Sequence, residues 1–237
     1  MARKIKVGTL ISGGGTNLQA IIDACKENRI SADIVFTGSD TPAVKGLERA
    51  ETAGIDTFVV DYARIIQSCR SGIADTDLPA DFDLDDIMAK QKLVDPSDET
   101  AAFFLKSRAI AEKQLLDYIL SYDMDLLVLA GFMRVFTPYF IDRINTVPGK
   151  HRIMNIHPAL LPAFPGTDGY GDTFRYGCKV GGCTVHFIDY GEDTGPIIGQ
   201  KAFEIEDADT LDDVKRKGLA KEWELYPACI QKFAELL

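Results

Sequence analysis

The stretch MNIHPALLPAFPG, residues 154 to 166, places an amide and an imidazole two residues apart. On a β-strand, side chains two apart point to the same face, so Asn155 and His157 face the same way. Pro158 disfavours the helical region for His157 and keeps it extended at the strand end. Such a pair on rigid backbone suits hydrogen bonding to a carbonyl oxygen that becomes an oxyanion. The pair can equally serve loop carbonyls, and the spacing alone leaves both readings open.

A second polar cluster, DYGEDTGPII at 189 to 198, forms a turn rich in glycine and acid between two strand-like runs, with Asp193 in its middle. A carboxylate held near an imidazole favours the protonated ring, which is the better acid and oxyanion partner. The alternative is a hairpin-turn aspartate that caps its own backbone.

A third motif, SGGGTN at 12 to 17, follows the apolar run IKVGTLI and precedes the helical stretch LQAIIDACKEN. Consecutive glycines permit positive φ and close backbone approach, so the N–H groups of Gly15, Thr16 and Asn17 can face an anion with help from the helix dipole. The turn has no Gly-Lys-Ser/Thr, and Leu18 ends the dinucleotide pattern GxGxxG. The turn therefore favours binding of a monophosphate over a dinucleotide. The alternative is a tight strand-to-helix turn without a ligand, capped by Thr16 or Asn17.

The elements that must position these groups alternate between short apolar runs and helix-like stretches, as in a parallel sheet with crossover helices. Strands are predicted at 5–11, 32–39, 55–61, 125–133, 151–157, 181–189 and 196–205. Helices are predicted at 18–28, from Thr41-Pro42 to Gly54, at 105–123, from Thr137-Pro138, and at 207–237 with Asp207 and Asp209 as caps. We expect a single α/β domain over 1–237, Rossmann-like, with a mostly parallel twisted central sheet flanked by helices.

The pattern breaks over residues 62–103. Within that segment, residues 75 to 99 carry nine acids against two bases, which is −7 of the net charge of −10. A dense acidic stretch with few aromatics buries poorly, so we predict a solvated insertion on the surface. A lid or a contact surface is the alternative.

The amino-acid composition indicates which kinds of binding partner, metal site and location are disfavoured. A net charge of −10 disfavours nucleic acid and anionic membranes. The five cysteines form no CxxC pair and no zinc spacing, so we expect free thiols in a reducing compartment and no metal. The start MARKIKVGTLISGG has no apolar leader and no run is long enough for a membrane span, which predicts a cytoplasmic protein. A monomer and a homodimer both stay open.

The motifs LISGGGTNLQAII, LVLAGFMRVFTP, MNIHPALLPAFPG, GGCTVHF and DTGPII, in this order, resemble the glycinamide ribonucleotide formyltransferase family, the folate-dependent enzymes of purine synthesis. The resemblance covers most of the chain outside 62–103. It implies the formyltransferase fold and transfer of a formyl group from 10-formyltetrahydrofolate to the amine of glycinamide ribonucleotide. The products would be formylglycinamide ribonucleotide and tetrahydrofolate.

The resemblance also implies roles for individual residues. Asn155, His157 and Asp193 match the catalytic trio, in which the amide and the protonated imidazole steady the oxyanion while the carboxylate keeps the ring charged. The positions that match the nucleotide site are Gly15, Thr16, Asn17 and Glu222. The positions that match the folate site are Arg108, Met133, Arg134, Val135, Phe136, Asn155, Asp189, Tyr190, Gly191, Glu192 and Asp193.

Two departures from the family pattern stand out. The loop TDGYGDTF at 167–174 lacks the histidine that relatives usually carry there, and Leu219 replaces a polar or basic residue. Rival interpretations are a formyltetrahydrofolate hydrolase, with water in place of the amine, and a folate or nucleotide binder without activity. A methionyl-tRNA formyltransferase would need a further domain and a basic surface.

Overall fold

A computed structural model describes residues 3–237, and within that range seven strands form one sheet in the order β3-β2-β1-β4-β5-β6-β7. The strands are β1 (Ile5–Ile11), β2 (Ala32–Ser39), β3 (Thr57–Val59), β4 (Leu126–Leu129), β5 (Ile153–His157), β6 (Val180–Phe187) and β7 (Ile197–Glu204). The helices are α1 (Thr16–Lys26), α2 (Lys45–Thr52), α3 (Tyr62–Cys69), α4 (Leu84–Lys90), α5 (Ala101–Ile119), α6 (Pro138–Ile144), α7 (Gly169–Tyr176) and α8 (Leu211–Ala234).

The pairing confirms the predicted α/β class with a mostly parallel sheet. Neighbouring strands from β3 to β5 are parallel, whereas β6 and β7 add an antiparallel hairpin to the edge of β5. The bounds of β1 and β2 match the prediction, but β4 is shorter, because Gly131 turns the chain with a φ of 84°.

The strand order places a switch point between β1 and β4. The chain runs outward from β1 to β2 and β3, then returns to β4 and continues toward β7. The loops after β1 and β4 therefore diverge at the same edge of the sheet, where open α/β sheets form their ligand crevice. The Gly-rich turn and the segment Met133–Phe136 follow these two strands.

Helices cover both faces of the sheet, which explains the continuous apolar runs in its strands. In β4, Leu126 and Val128 pack into the core under α1 and α8, whereas Leu127 and Leu129 pack into the core under α5 and α6. β4 is thus held from both sides, which fixes the residues that follow its carboxyl end.

The predicted start of α2 at Thr41-Pro42 is wrong. Ala43 has a φ of 56°, which interrupts the helical backbone, and the helix begins at Lys45 after Val44. Its end agrees with the prediction, since Gly54 follows the C-cap with a φ of 75°.

The predicted caps of the last helix are also wrong. Thr210 caps α8 in a capping box with Asp213, in which each side chain accepts a backbone N–H of the other residue. Asp209 instead accepts the Glu206 N–H and pairs with Lys217 at 2.6 Å.

The segment 62–103 folds as α3, a short 3₁₀ turn, α4 and the start of α5. It is fastened to α6 by Asp81, which pairs with Arg143 at 2.5 Å. All five cysteines are free. Among the described residues, none of the helices combines the length and apolar character needed to cross a bilayer.

Candidate active site

A cleft opens at the switch point, where the carboxyl ends of β1, β4 and β5 meet. It brings together residues of the Gly-rich turn, the loop after β4, β5, the β6–β7 hairpin and α8. The predicted site residues that line it are Asn17, Met133, Arg134, Val135, Phe136, Asn155, His157, Gly191, Glu192, Asp193 and Glu222.

His157 is 3% exposed at the end of β5 and is held at both ring nitrogens. Its Nδ1 lies 3.1 Å from Asp193 Oδ2, and its Nε2 lies 2.7 Å from the Phe164 carbonyl oxygen. Because each nitrogen faces an oxygen acceptor, the doubly protonated imidazolium is the form that donates to both. The ring is therefore arranged to carry a proton next to Asn155.

Asp193 gathers several donors in the hairpin between β6 and β7. Its Oδ2 also accepts the Gly166 N–H at 2.9 Å, and its Oδ1 lies 3.5 Å from His186 Nε2. Burial opposes ionisation, but the hydrogen bonds from His186 and Gly166 and the nearby His157 outweigh it and lower the pKa of Asp193 below its usual value. The carboxylate is thus ionised at neutral pH.

The backbone is unusual at the two residues that hold His157. Asp193 has a φ of 55° and Phe164 a φ of 54°. A non-glycine residue in this left-handed region costs about 1–3 kcal/mol and persists only where surrounding contacts impose it. Thr184 braces the start of the loop after His157, since its hydroxyl donates to the Ala159 carbonyl and accepts the Leu161 N–H.

His186 is a site residue for which the sequence analysis assigned no role. It lies directly across from Asn155 in the β5–β6 pairing, and its Nε2 is 3.4 Å from the Asn155 Nδ2. Its Nδ1 is 2.9 Å from the Phe187 carbonyl oxygen. The signal in the sequence was a histidine inside the strand GGCTVHF, but its partner depends on the strand register.

Glu222 anchors the other end of the cleft. Its Oε2 accepts from Asn17 Nδ2 and its Oε1 accepts from the Tyr170 hydroxyl, both at 2.6 Å. Burial raises the pKa of Glu222 above its ordinary value, against the opposing effect of these two hydrogen bonds. The Asn17 Oδ1 atom is buried without a hydrogen-bond partner.

The Gly-rich turn has the backbone that its sequence predicts. Gly15 is the N-cap of α1 with a φ of 68° and without a side-chain cap, which leaves the first N–H groups of the helix free of side-chain acceptors. A Cβ on Gly15 would lie 2.7 Å from the Cα of Gly46, so only glycine fits. Gly15 and Thr16 lie outside the residues that line the cleft, and Thr16 borders a separate cavity beside Trp223.

The segment Met133–Phe136 is tied to the same turn by Ser12. The Ser12 N–H donates to the Gly131 carbonyl at 3.0 Å, and its hydroxyl accepts the Met133 N–H at 2.8 Å. Arg134 pairs with the buried Asp40 at 2.5 Å. The two loops that leave the switch point are therefore braced against each other.

Three residues predicted for the folate site lie outside the cleft lining. Arg108 packs its guanidinium over the Tyr62 and Phe104 rings, at 5.7 and 5.3 Å, and its Nη1 is buried without a partner. Asp189 accepts from the Gly191 N–H and the Thr194 hydroxyl within its own loop. The Tyr190 hydroxyl turns away to Asp142.

A buried histidine and an amide side chain thus lie together at the switch point of an α/β sheet, which is where open sheets of this kind bind their ligands. A family model described as formyl transferase matches residues 5–230, so the chain belongs to the formyl transferase family. No group of three or more His, Cys, Asp and Glu side chains is placed to hold a metal ion within residues 3–237.

Named relatives agree with this family. The chain is 32% identical over 231 residues to phosphoribosylglycinamide formyltransferase of Bacillus subtilis (strain 168), covering 98% of this chain and 95% of the relative. It is 31% identical to the trifunctional purine biosynthetic protein adenosine-3 of Bos taurus, over 98% of this chain and 18% of that protein. Glycinamide ribonucleotide transformylase 1 from Symbiobacterium toebii superposes with a TM-score of 0.73 at 36% identity, covering 98% of this chain and 88% of that one.

Proposed function

We propose that the protein is a phosphoribosylglycinamide formyltransferase that takes its formyl group from 10-formyltetrahydrofolate. The relatives that it matches over nearly its full length carry this activity in their names. The observation that carries the proposal is the His157 ring, which lies between Asp193 and a backbone carbonyl and beside Asn155 in the cleft.

The chemistry follows from this arrangement. The amine nitrogen of glycinamide ribonucleotide attacks the formyl carbon, and the carbonyl electron pair moves to the oxygen. Asn155 and the His157 imidazolium donate hydrogen bonds to that oxyanion, for which the Nε2–H leaves the Phe164 carbonyl. Collapse of the tetrahedral intermediate breaks the bond to N10 of the folate, and the proton lost by the amine ends on N10. Asp193 keeps the ring charged and orients a water that carries this proton.

The nucleotide occupies the end of the cleft formed by the Gly-rich turn and α8. The free N–H groups at the start of α1 bind its phosphate through Gly15, Thr16 and Asn17. Asn17 and Glu222 line the cleft on the way to His157, and their side chains are joined by a hydrogen bond at 2.6 Å. This end gives the site its preference for an amine acceptor over water.

The formyl folate occupies the opposite end, between Met133–Phe136 and the loop Asp189–Asp193. Phe132 and Phe136 stack with ring centroids 5.3 Å apart and form an apolar wall for a flat ring system. Arg108, one layer behind Arg134 over the same Tyr62 ring, supports this wall. Both substrates are small molecules, and the free thiols suit a reducing cytoplasm.

Two substitutions test the assignment of His157 and Asp193. We expect His157→Ala and Asp193→Asn to remain folded and to lose about 10²- to 10⁴-fold in kcat, because one removes a donor to the oxyanion and the other removes the carboxylate that keeps this donor charged. Circular dichroism checks the fold, and steady-state formyl transfer measures the rate. His151→Ala and Asp207→Asn, which lie outside the cleft, are the matched controls. A rate close to wild type in either test variant would remove that residue from the mechanism.

A further inference from the structure

The insertion touches the loop that carries Asp193. We call residues 84–94, which comprise α4 and the turn after it, the strap, and Asp189–Asp193 the Asp193 loop. The backbone N–H of Lys92 in the strap donates to the carbonyl of Tyr190 in the Asp193 loop at 2.9 Å. A surface insertion is thus bonded to the wall of the candidate active site.

Gln91 gives the strap the shape that this bond requires. Its side chain is 6% exposed, and its Oε1 accepts the N–H groups of Leu93 and Val94 at 2.6 and 2.9 Å. Its Nε2 donates to the Val94 carbonyl at 2.9 Å. The amide therefore closes a tight turn around Lys92 and fixes the direction of its N–H, which a flexible loop would not do.

A second bridge runs through Asp142 of α6. One carboxylate oxygen accepts from the Tyr190 hydroxyl at 2.5 Å, and the other accepts from Lys90 Nζ at 3.2 Å. Burial and the bond to Asp142 raise the pKa of Tyr190 to about 12, so its hydroxyl remains a donor at neutral pH. Residues 75 to 99 contain only two basic residues, Lys90 and Lys92, and both take part in these bridges.

Hydrogen bonds within the Asp193 loop make it one rigid unit, so contacts that fix Tyr190 also fix the rest of the loop. Asp189 Oδ1 accepts from the Gly191 N–H at 3.1 Å and from the Thr194 hydroxyl at 2.6 Å. Gly191, Glu192 and Asp193 line the cleft, whereas the Tyr190 side chain points away from it to Asp142, which Lys90 of the strap also contacts. Tyr190, which is fixed from outside, and the residues that line the cleft are thus on opposite sides of the Asp193 loop.

We propose that the strap is a positioning element for the folate end of the active site. It fixes the Asp193 loop from outside through Lys90, Lys92, Asp142 and Tyr190, and so sets the affinity for the formyl donor and the contact of Asp193 with His157. The proposal rests on the proposed function, in which this loop borders the formyl folate. Within the strap Lys90 also pairs with Asp86 at 2.7 Å, and Asp81 ties the insertion to Arg143 of α6.

The kinetic test compares Lys90→Met and Tyr190→Phe with wild type. Tyr190→Phe removes one hydrogen bond to Asp142, and Lys90→Met removes the other together with the Lys90–Asp86 pair within α4. We expect the KM for 10-formyltetrahydrofolate to rise about 3- to 10-fold while the KM for glycinamide ribonucleotide changes less than about 2-fold. Since both bonds meet at Asp142, the double variant should show less than the product of the two effects. Lys113→Met, which breaks a comparable surface pair with Asp117, is the control. An unchanged KM for the folate, or equal rises for both substrates, would overturn the proposal.

Hydrogen exchange separates this proposal from the proposed function. In the full chain without substrates, the peptide that spans 188–194 should exchange faster in Lys90→Met and Tyr190→Phe than in wild type or Lys113→Met. Faster exchange in variants of a protein that shows no formyl transfer would support the positioning role of the strap and refute only the proposed formyltransferase function. Unchanged exchange in both variants would refute the strap, whatever the activity.

Discussion

The hydrogen bond between Tyr170 and Glu222 yields a quantitative prediction for the variant Tyr170→Phe. Tyr170 lies in α7, in the stretch that the sequence analysis treated as a loop and where the family pattern has a histidine. It is 6% exposed and donates at 2.6 Å to a Glu222 carboxyl that is 5% exposed. Its ring lies against α8 at Gly218, where a Cβ would be only 2.2 Å from the Tyr170 Cζ. Gly218 in α8 and Tyr170 in α7 therefore belong to one contact, which orients Glu222 in the cleft.

The size of the effect follows from what Tyr170→Phe removes. The ring volume stays, so little cavity forms, but Glu222 Oε1 loses its donor while buried. Hydrogen bonds to charged groups contribute about 1.5–3 kcal/mol, so we expect a loss of about 2 kcal/mol in the free energy of unfolding. For a chain of this size that corresponds to a fall in Tm of about 4–8 °C. The pKa of Glu222 should rise further, because one of the two bonds that oppose the effect of burial is lost.

Two assays on the same variant test this prediction. Calorimetry measures the fall in Tm, and steady-state kinetics should show a larger rise in the KM for glycinamide ribonucleotide than in that for the formyl donor, since Glu222 lies at the nucleotide end. Tyr176→Phe is the matched control, because it lies in the same helix but is 79% exposed. A Tm and a nucleotide KM that match those of the control would refute the reasoning.

Four further outcomes are expected. Gly218→Ala should destabilise the protein by about 1–3 kcal/mol in urea unfolding, because the added methyl overlaps the Tyr170 ring. Burial raises the pKa of Glu112 from 4.5 to about 7, so the stability of wild type relative to Glu112→Gln should fall as the pH rises between these values. The pKa of Asp193 in the folded state lies below its ordinary value of 3.8. In urea unfolding, wild type should therefore have a higher free energy of unfolding than Asp193→Asn above pH 3.8, and this difference should vanish as the pH falls through the folded-state pKa. The exposed Glu99 touches neither the strap nor the cleft, so Glu99→Gln should leave kcat and both KM values unchanged.

The sequence predicted those parts of the site that depend on local pattern. The alternation of side chains along a strand places Asn155 and His157 on one face, and the glycines at 13–15 indicate the backbone of the turn. The positions of the seven strands, and the bounds of β1 and β2, followed from apolar runs in the sequence. The start of α2 could not be predicted in this way, because nothing in the local sequence after Thr41-Pro42 indicates the positive φ of Ala43.

Contacts between distant segments were out of reach of the same reasoning. The pairing of Asn155 with His186 depends on the register of an antiparallel edge, which periodicity does not specify. The bonds from Tyr170 to Glu222 and from Lys92 to Tyr190 join segments that only the folded sheet brings together. Tyr170 shows this most clearly, since the sequence marked it only as a departure from the family pattern.

The most direct test of the central claim is the release of tetrahydrofolate from 10-formyltetrahydrofolate, followed by absorbance, with and without glycinamide ribonucleotide. The account predicts release that depends strictly on the nucleotide, together with formylated product, because the acceptor end of the cleft favours an amine. Release without the nucleotide would instead indicate a hydrolase. No release under either condition would contradict the assignment of His157, Asn155 and Asp193 to formyl transfer.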